Sequence, residues 1–278
     1  MPRRIQCASV SPMKLPASDR FGAAFASLRP REHGGWSMAL EPVVLGLLVA
    51  PSWSGAALAG AILAVFLARR PLQIVTAATR PAGNAANPLA RGALLCLVGA
   101  ALLLVVAAAR LAGPPSLWPL GLALPPAALF LWLDAQGEAR ATAAEIAGTV
   151  AFALLPAAFV SLQFGRPAIA LALSVVLISH SLPAVLAIRA FLRRRKGQPV
   201  GITMPLLAAL FAVGATAVLS DRQLAPWCAP GFAVVFLLRT LWFFGPRPPT
   251  LRATRLGILE ATLGGAYVIA VGLTWPQR

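Results

Sequence analysis

The sequence predicts an all-α fold, a polytopic transmembrane bundle of about nine helices. Three observations carry that expectation. Apolar residues make up 59% of the chain and charged residues only 12%, against about 45–50% and about 25% in soluble domains. Apolar stretches recur from Trp36 almost to the C-terminus, and a bilayer core about 30 Å thick needs about 20 mostly apolar residues per crossing helix. Basic residues, finally, collect in every second connection.

Residues 1–30 hold Arg3, Arg4, Lys14, Asp19, Arg20 and Arg29 with serine and proline between them. No apolar core of a cleaved signal peptide interrupts them, so they read as a basic, disordered cytoplasmic tail. The membrane domain then occupies 31–278. Apolar runs set against charge and Pro/Gly punctuation give helices at 36–50, 54–69, 92–112, 116–133, 143–163, 167–190, 201–219, 226–244 and 256–275. The first two are short. The Pro51-Ser52-Trp53-Ser54 junction between them permits a tight hairpin or a pair of tilted, partly re-entrant helices. Pro71 to Asn87, the longest polar stretch inside the domain, is expected at the interface.

Lysine and arginine concentrate in cytoplasmic loops of inner-membrane proteins. With the N-terminus inside, nine spans leave only Arg110, Arg166, Arg222 and Arg278 of the 24 basic residues on the other side. One helix more or fewer in the middle would break the alternation. The expected location is therefore a bacterial inner membrane, with the N-terminus cytoplasmic and the C-terminus periplasmic or extracellular.

A net charge of +16 would suggest nucleic acid in a soluble protein, but duplex binding needs a basic patch on one solvated surface. Here the arginines lie between apolar spans, so no nucleic-acid partner is expected. Cys7, Cys96 and Cys228 are far apart and form no C-x-x-C pair. With only two histidines in addition, neither a metal nor a haem site is expected, and no cofactor is implied.

Ionisable groups at membrane depth cost several kcal/mol unless paired or hydrated, which makes each a candidate. Arg31, Glu32 and His33 precede Gly34-Gly35-Trp36, and Glu41 follows inside the apolar run. An interfacial cap anchored by tryptophan and a ligand-facing cluster are both open readings. Glu41 precedes Pro42, whose missing N–H frees a carbonyl one turn earlier. His180 lies near the midplane of the sixth helix with Ser179, Ser181 and Pro183, and the proline removes the bond to the Ser179 carbonyl. It is either a hydrogen bond between helices or the lining of a cavity. Gly257, Ala261 and Gly265 form a small-x-x-x-small face on the last helix, and Glu260 borders it as an ion-pair partner or a catalytic acid. Asp134, Gln136, Glu138, Arg140 and Glu145 form the one acidic cluster, more in keeping with a solvated helix entrance than with a metal site. Arg189, Arg193, Arg239 and Arg255 are topology signals that could also meet a ligand's charged head.

The blocks Arg31 to Trp36, Arg189 to Lys196 and Arg255-Leu256-Gly257-Ile258-Leu259-Glu260 together resemble the YwiC-like family of bacterial membrane proteins, which implies location but no reaction. The nine-helix plan is also similar to the UbiA prenyltransferase superfamily. That resemblance implies aspartate-rich loops binding Mg²⁺ and a prenyl diphosphate, and this sequence departs from it, since neither Arg69 to Arg91 nor Arg189 to Lys196 contains an acidic residue.

The expectation is a cavity open to the cytoplasmic leaflet, lined by Glu41, His180, Glu260 and inside arginines, binding an amphipathic anionic lipid or isoprenoid. The alternatives are a divergent UbiA-like prenyltransferase with His180 or a glutamate as base, and a small-anion transporter.

Overall fold

The computed structural model describes residues 33–78, 88–138, 141–246, 248–250 and 252–276. The tail 1–30, Arg31, Glu32 and the side chain of His33 lie outside the described residues. Nine α-helices and no strand occur among those described: α1 (His33–Val49), α2 (Trp53–Ala78), α3 (Pro88–Ala112), α4 (Trp118–Ala135), α5 (Thr142–Phe164), α6 (Pro167–Arg195), α7 (Thr203–Asp221), α8 (Cys228–Phe244) and α9 (Ala253–Leu273). A 3-10 turn, Pro114–Leu117, joins α3 to α4. Seven of the helices are long and apolar enough to cross a membrane, and the apolar parts of α1 and α8 are shorter. The chain is a multi-pass membrane protein.

Local chemistry sets the helix ends. Ser52 opens α2, its Oγ accepting the Gly55 N–H at 2.9 Å, the usual serine cap. Gly113, Gly137, Gly165 and Gly197 follow α3, α4, α5 and α6 with positive φ, the left-handed conformation in which helices commonly end. Pro167 begins α6 as its first residue, where its missing N–H is no loss. Pro42, Pro71, Pro156 and Pro183 stand inside helices, as bundles allow when neighbours satisfy the freed groups.

Two boundaries differ from the sequence expectation. α2 runs through Arg69, Arg70 and Pro71 to Ala78, so it is a 26-residue helix and the first half of the supposed interfacial stretch is helical. Residues 79–87 lie outside the described residues. α6 continues through its basic residues to Arg195, where cations suit the negative end of the helix dipole.

Sidedness follows from contacts at the helix ends. At one face Arg69 and Gln73 near the end of α2 bind Asp134 at the end of α4. Glu145 at the start of α5 pairs with Arg189 near the end of α6, and Arg194 donates to the Phe244 carbonyl ending α8 at 3.2 Å. At the opposite face Leu48 packs on Gly272, and Cys228 meets Thr274 at 3.2 Å. α1 therefore runs alongside α9 from Glu41, beside Gly264, to Leu48, beside Gly272. All seven tryptophans stand at helix ends: Trp36, Trp132 and Trp242 at the first face, Trp53, Trp118, Trp227 and Trp275 at the second. Such belts mark the two membrane interfaces.

α5 and α6 form the centre, with α1, α4, α7 and α8 against them, α9 on α1, and α3 on α2. Phe159 is fully buried because two glycines admit it. A Cβ at Gly46 would lie 2.5 Å from its ring and one at Gly55 3.3 Å. Leu173, Val176, Phe236, Tyr267 and Val271 continue this core between α6, α8 and α9.

Candidate functional site

Three of the sequence candidates, on three different helices, meet in one place. Glu41 of α1, His180 of α6 and Glu260 of α9 all line a cavity of about 270 Å³ that also touches α5. The imidazole Nε2 stands 3.3 Å from Oε2 of Glu41. Gly264 makes that approach possible, since a Cβ there would collide with Oε1 of Glu41 and lie 3.0 Å from His180 Nε2.

His180 is buried, its ring 4.7 Å from Phe236 and 4.9 Å from Tyr267 between centroids. Tyr267 donates its O–H to the Val176 carbonyl at 2.8 Å, one turn before His180. This bond ties α9 to α6 at the closed end of the cavity. Apart from Ser37, Thr149 and Ser181 the remaining walls are apolar, with Phe152, Val185, Ile188, Leu192 and Leu256 among them. From His180 to Leu192 the lining follows α6 for 12 residues, about 18 Å at 1.5 Å per residue. Gly257 and Ala261 are exposed lining residues and so border the mouth.

Glu260 is ion-paired with Arg239 of α8, whose side chain is 4% exposed and whose guanidinium lies 5.3 Å from the Phe236 ring and 5.7 Å from that of Phe243. Removing either partner would leave a charge buried without compensation, a loss of about 3–5 kcal/mol. Nε and Nη2 of Arg239, Oε1 of Glu260 and Nδ1 of His180 are buried without hydrogen-bond partners.

Other candidates lie elsewhere. Arg189, expected in the cavity, is drawn to Glu145 instead, because a carboxylate on the adjoining α5 is its nearest counter-charge. Arg193 is exposed and donates to Gln198 at 3.2 Å, and Arg255 is exposed at the start of α9. The acidic run is divided: Asp134 holds α4 to α2 and Glu145 holds α5 to α6. The expected packing face on α9 is displaced by one residue. A Cβ at Gly257 or Gly265 would meet nothing within 4 Å, and the packed side is Leu256, Gly264, Tyr267, Val268 and Val271. Small residues on α9 open the cavity mouth where a helix contact was expected.

Sequence reasoning missed Gly264, Tyr267 and Phe236. Tyr267 had a signal, as the sole tyrosine of the chain in mid-span. Among the described residues no group of three His, Cys, Asp or Glu is placed to hold a metal ion.

A model of the family described as YwiC-like protein matches residues 29–161, the stretch that begins before the Arg31 to Trp36 block and ends inside α5. The match is a similarity over somewhat less than half of the chain and includes the first sequence block; the blocks at 189–196 and 255–260 fall outside it. No curated protein and no solved structure matches the chain.

Proposed function

We propose that this protein holds an amphipathic anionic lipid or isoprenoid in the cavity between α1, α5, α6 and α9. In this reading it lies in a bacterial inner membrane with its N-terminus cytoplasmic, and the ligand enters from the cytoplasmic leaflet. The observation that carries the proposal is the convergence of Glu41, His180 and Glu260 on one cavity whose other walls are mostly apolar. Isolated ties between helices would be dispersed. Near 270 Å³ the space falls just below the about 300–1,000 Å³ typical of small-molecule pockets, so part of the ligand stays outside, in the lipid beyond Gly257 and Ala261. The exposed Arg193, Arg252 and Arg255 stand at the same face, where each basic residue adds about 1 kcal/mol of attraction to an anionic headgroup.

Purification in detergent followed by mass spectrometry of the extracted small molecules tests this. A lipid or isoprenoid retained by the natural sequence and lost in Ala261→Trp, which fills the mouth, is the expected outcome. No retained molecule, or equal retention by both forms, would count against it.

A second reading, an isoprenoid transferase with His180 as base, draws on the 3.3 Å His180–Glu41 pair, since a carboxylate orients an imidazole for proton transfer. Label transfer from prenyl diphosphates to membrane acceptors, abolished in His180→Gln, would favour it. Absence of any labelled product would remove it.

A further inference from the structure

The polar groups of the cavity almost all accept hydrogen bonds. Ionised Glu41 and Glu260 have no proton to give. In a neutral imidazole one nitrogen donates and the other accepts. Since His180 Nε2 faces Glu41 Oε2 at 3.3 Å, the proton belongs on Nε2 and the buried, unpartnered Nδ1 is left as an acceptor. The hydroxyls of Thr149 and Ser181 give their hydrogens to their own helices, to the Glu145 carbonyl at 2.7 Å and the Leu177 carbonyl at 2.8 Å. Ser37 lies one turn further out on α1 than Glu41. Arg239 binds Glu260 without lining the cavity. Glu41 and Glu260 place two carboxylates beside His180 and the Arg239 guanidinium, and carboxylates at membrane depth are costly unless a cation or proton compensates them.

We infer that the deep end of the cavity is a subsite for a ligand terminus that donates hydrogen bonds, with a primary ammonium as its strongest form, and that it rejects an anionic terminus. The inference rests on the ligand-holding role proposed above and fixes which part of the ligand goes where. An anionic group stays at the arginine face, outside the acceptor-lined end. The group that reaches Glu41, His180 Nδ1 and Glu260 Oε1 brings protons with it. Unpaired buried acceptors penalise any terminus without a donor far more than a missing methylene would.

The test uses the full chain in nanodiscs of zwitterionic lipid and a set of dodecyl probes differing only in the head: dodecylamine, dodecan-1-ol, dodecanoate and dodecane. Binding is followed by the rise in unfolding temperature with probe concentration. Dodecylamine is expected to bind about tenfold or more tighter than dodecanoate, with dodecan-1-ol between them. Glu41→Gln, which keeps the shape but removes a charge, is expected to erase most of the preference for the amine over the alcohol. Dodecanoate binding as tightly as dodecylamine would overturn the subsite while leaving the ligand-holding role intact. Failure of every probe to bind would overturn both. The head-group series on the natural sequence decides the question even if the variant does not fold.

Discussion

α3 and α5 are both long enough to cross a bilayer, yet they live in different surroundings. Of the apolar window of α3 only 11% is buried inside the protein, whereas for α5 the share is 61%. Leu95, Leu102, Leu103 and Val106 of α3 are exposed, and α3 leans chiefly on α2. α5 is the less apolar of the two, with Glu145, Thr149, Ser161 and many alanines, and neighbours surround it. In water the more apolar helix would be the buried one. In lipid the ordering reverses, because hydrocarbon is as good a solvent for leucine as another helix is. Polar and small residues are what draw a helix inward here.

The largest effect is expected from the inward side. Arg239→Ala leaves the Glu260 carboxylate unpaired, and thermal or denaturant unfolding in detergent should register a loss of about 3–5 kcal/mol. A double variant with Glu260→Ala should recover much of it. A loss under about 1 kcal/mol would mean that the pair is hydrated. Next comes the outward side: Leu103→Asp puts a charge on the lipid face of α3, at about 2.5–3.5 kcal/mol in an insertion assay. Full tolerance would show that this face meets water or a partner.

Gly264→Val tests the near contact with Glu41 and His180. A loss of about 1–3 kcal/mol is expected from the overpacking, while Gly257→Ala, on the same helix but facing open space, should change stability little. Equal effects at the two glycines would erase the distinction between the packed and the cavity side of α9. Smallest of all should be Leu102→Ala, within about 0.5 kcal/mol, since lipid replaces whatever the side chain vacates.

Nine helices were legible because apolar runs and Pro/Gly punctuation mark them off, and Glu41, His180 and Glu260 because ionised groups inside apolar runs demand an explanation. That they would share one cavity was an expectation no single-helix pattern could fix, since it depends on how α1, α6 and α9 rotate about their axes. The same rotation misassigned α9: Gly257, Ala261 and Gly265 follow an i, i+4 rule, but the contact falls on the neighbouring Gly264, and no pattern within one helix says which of two adjacent glycines turns inward. Arg189 and Arg239 look alike in sequence. Only the position of Glu145 on α5 and Glu260 on α9 sends the first to a surface tie and the second beneath the cavity.

The two short helices are also the ones that bring Glu41 and Arg239 to the cluster. Each has 17 residues, about 25 Å of rise, against a hydrocarbon layer of about 30 Å. Lipid beside them must draw in to match, and thinning of that sort brings headgroups and water closer to buried charge. The membrane itself thus shares the cost of keeping an ionised cluster in its interior. Stability measured in bilayers of increasing acyl length should fall by a fraction of a kcal/mol per Å of added thickness, and a flat response would mean that the surrounding helices shield α1 and α8 from the lipid.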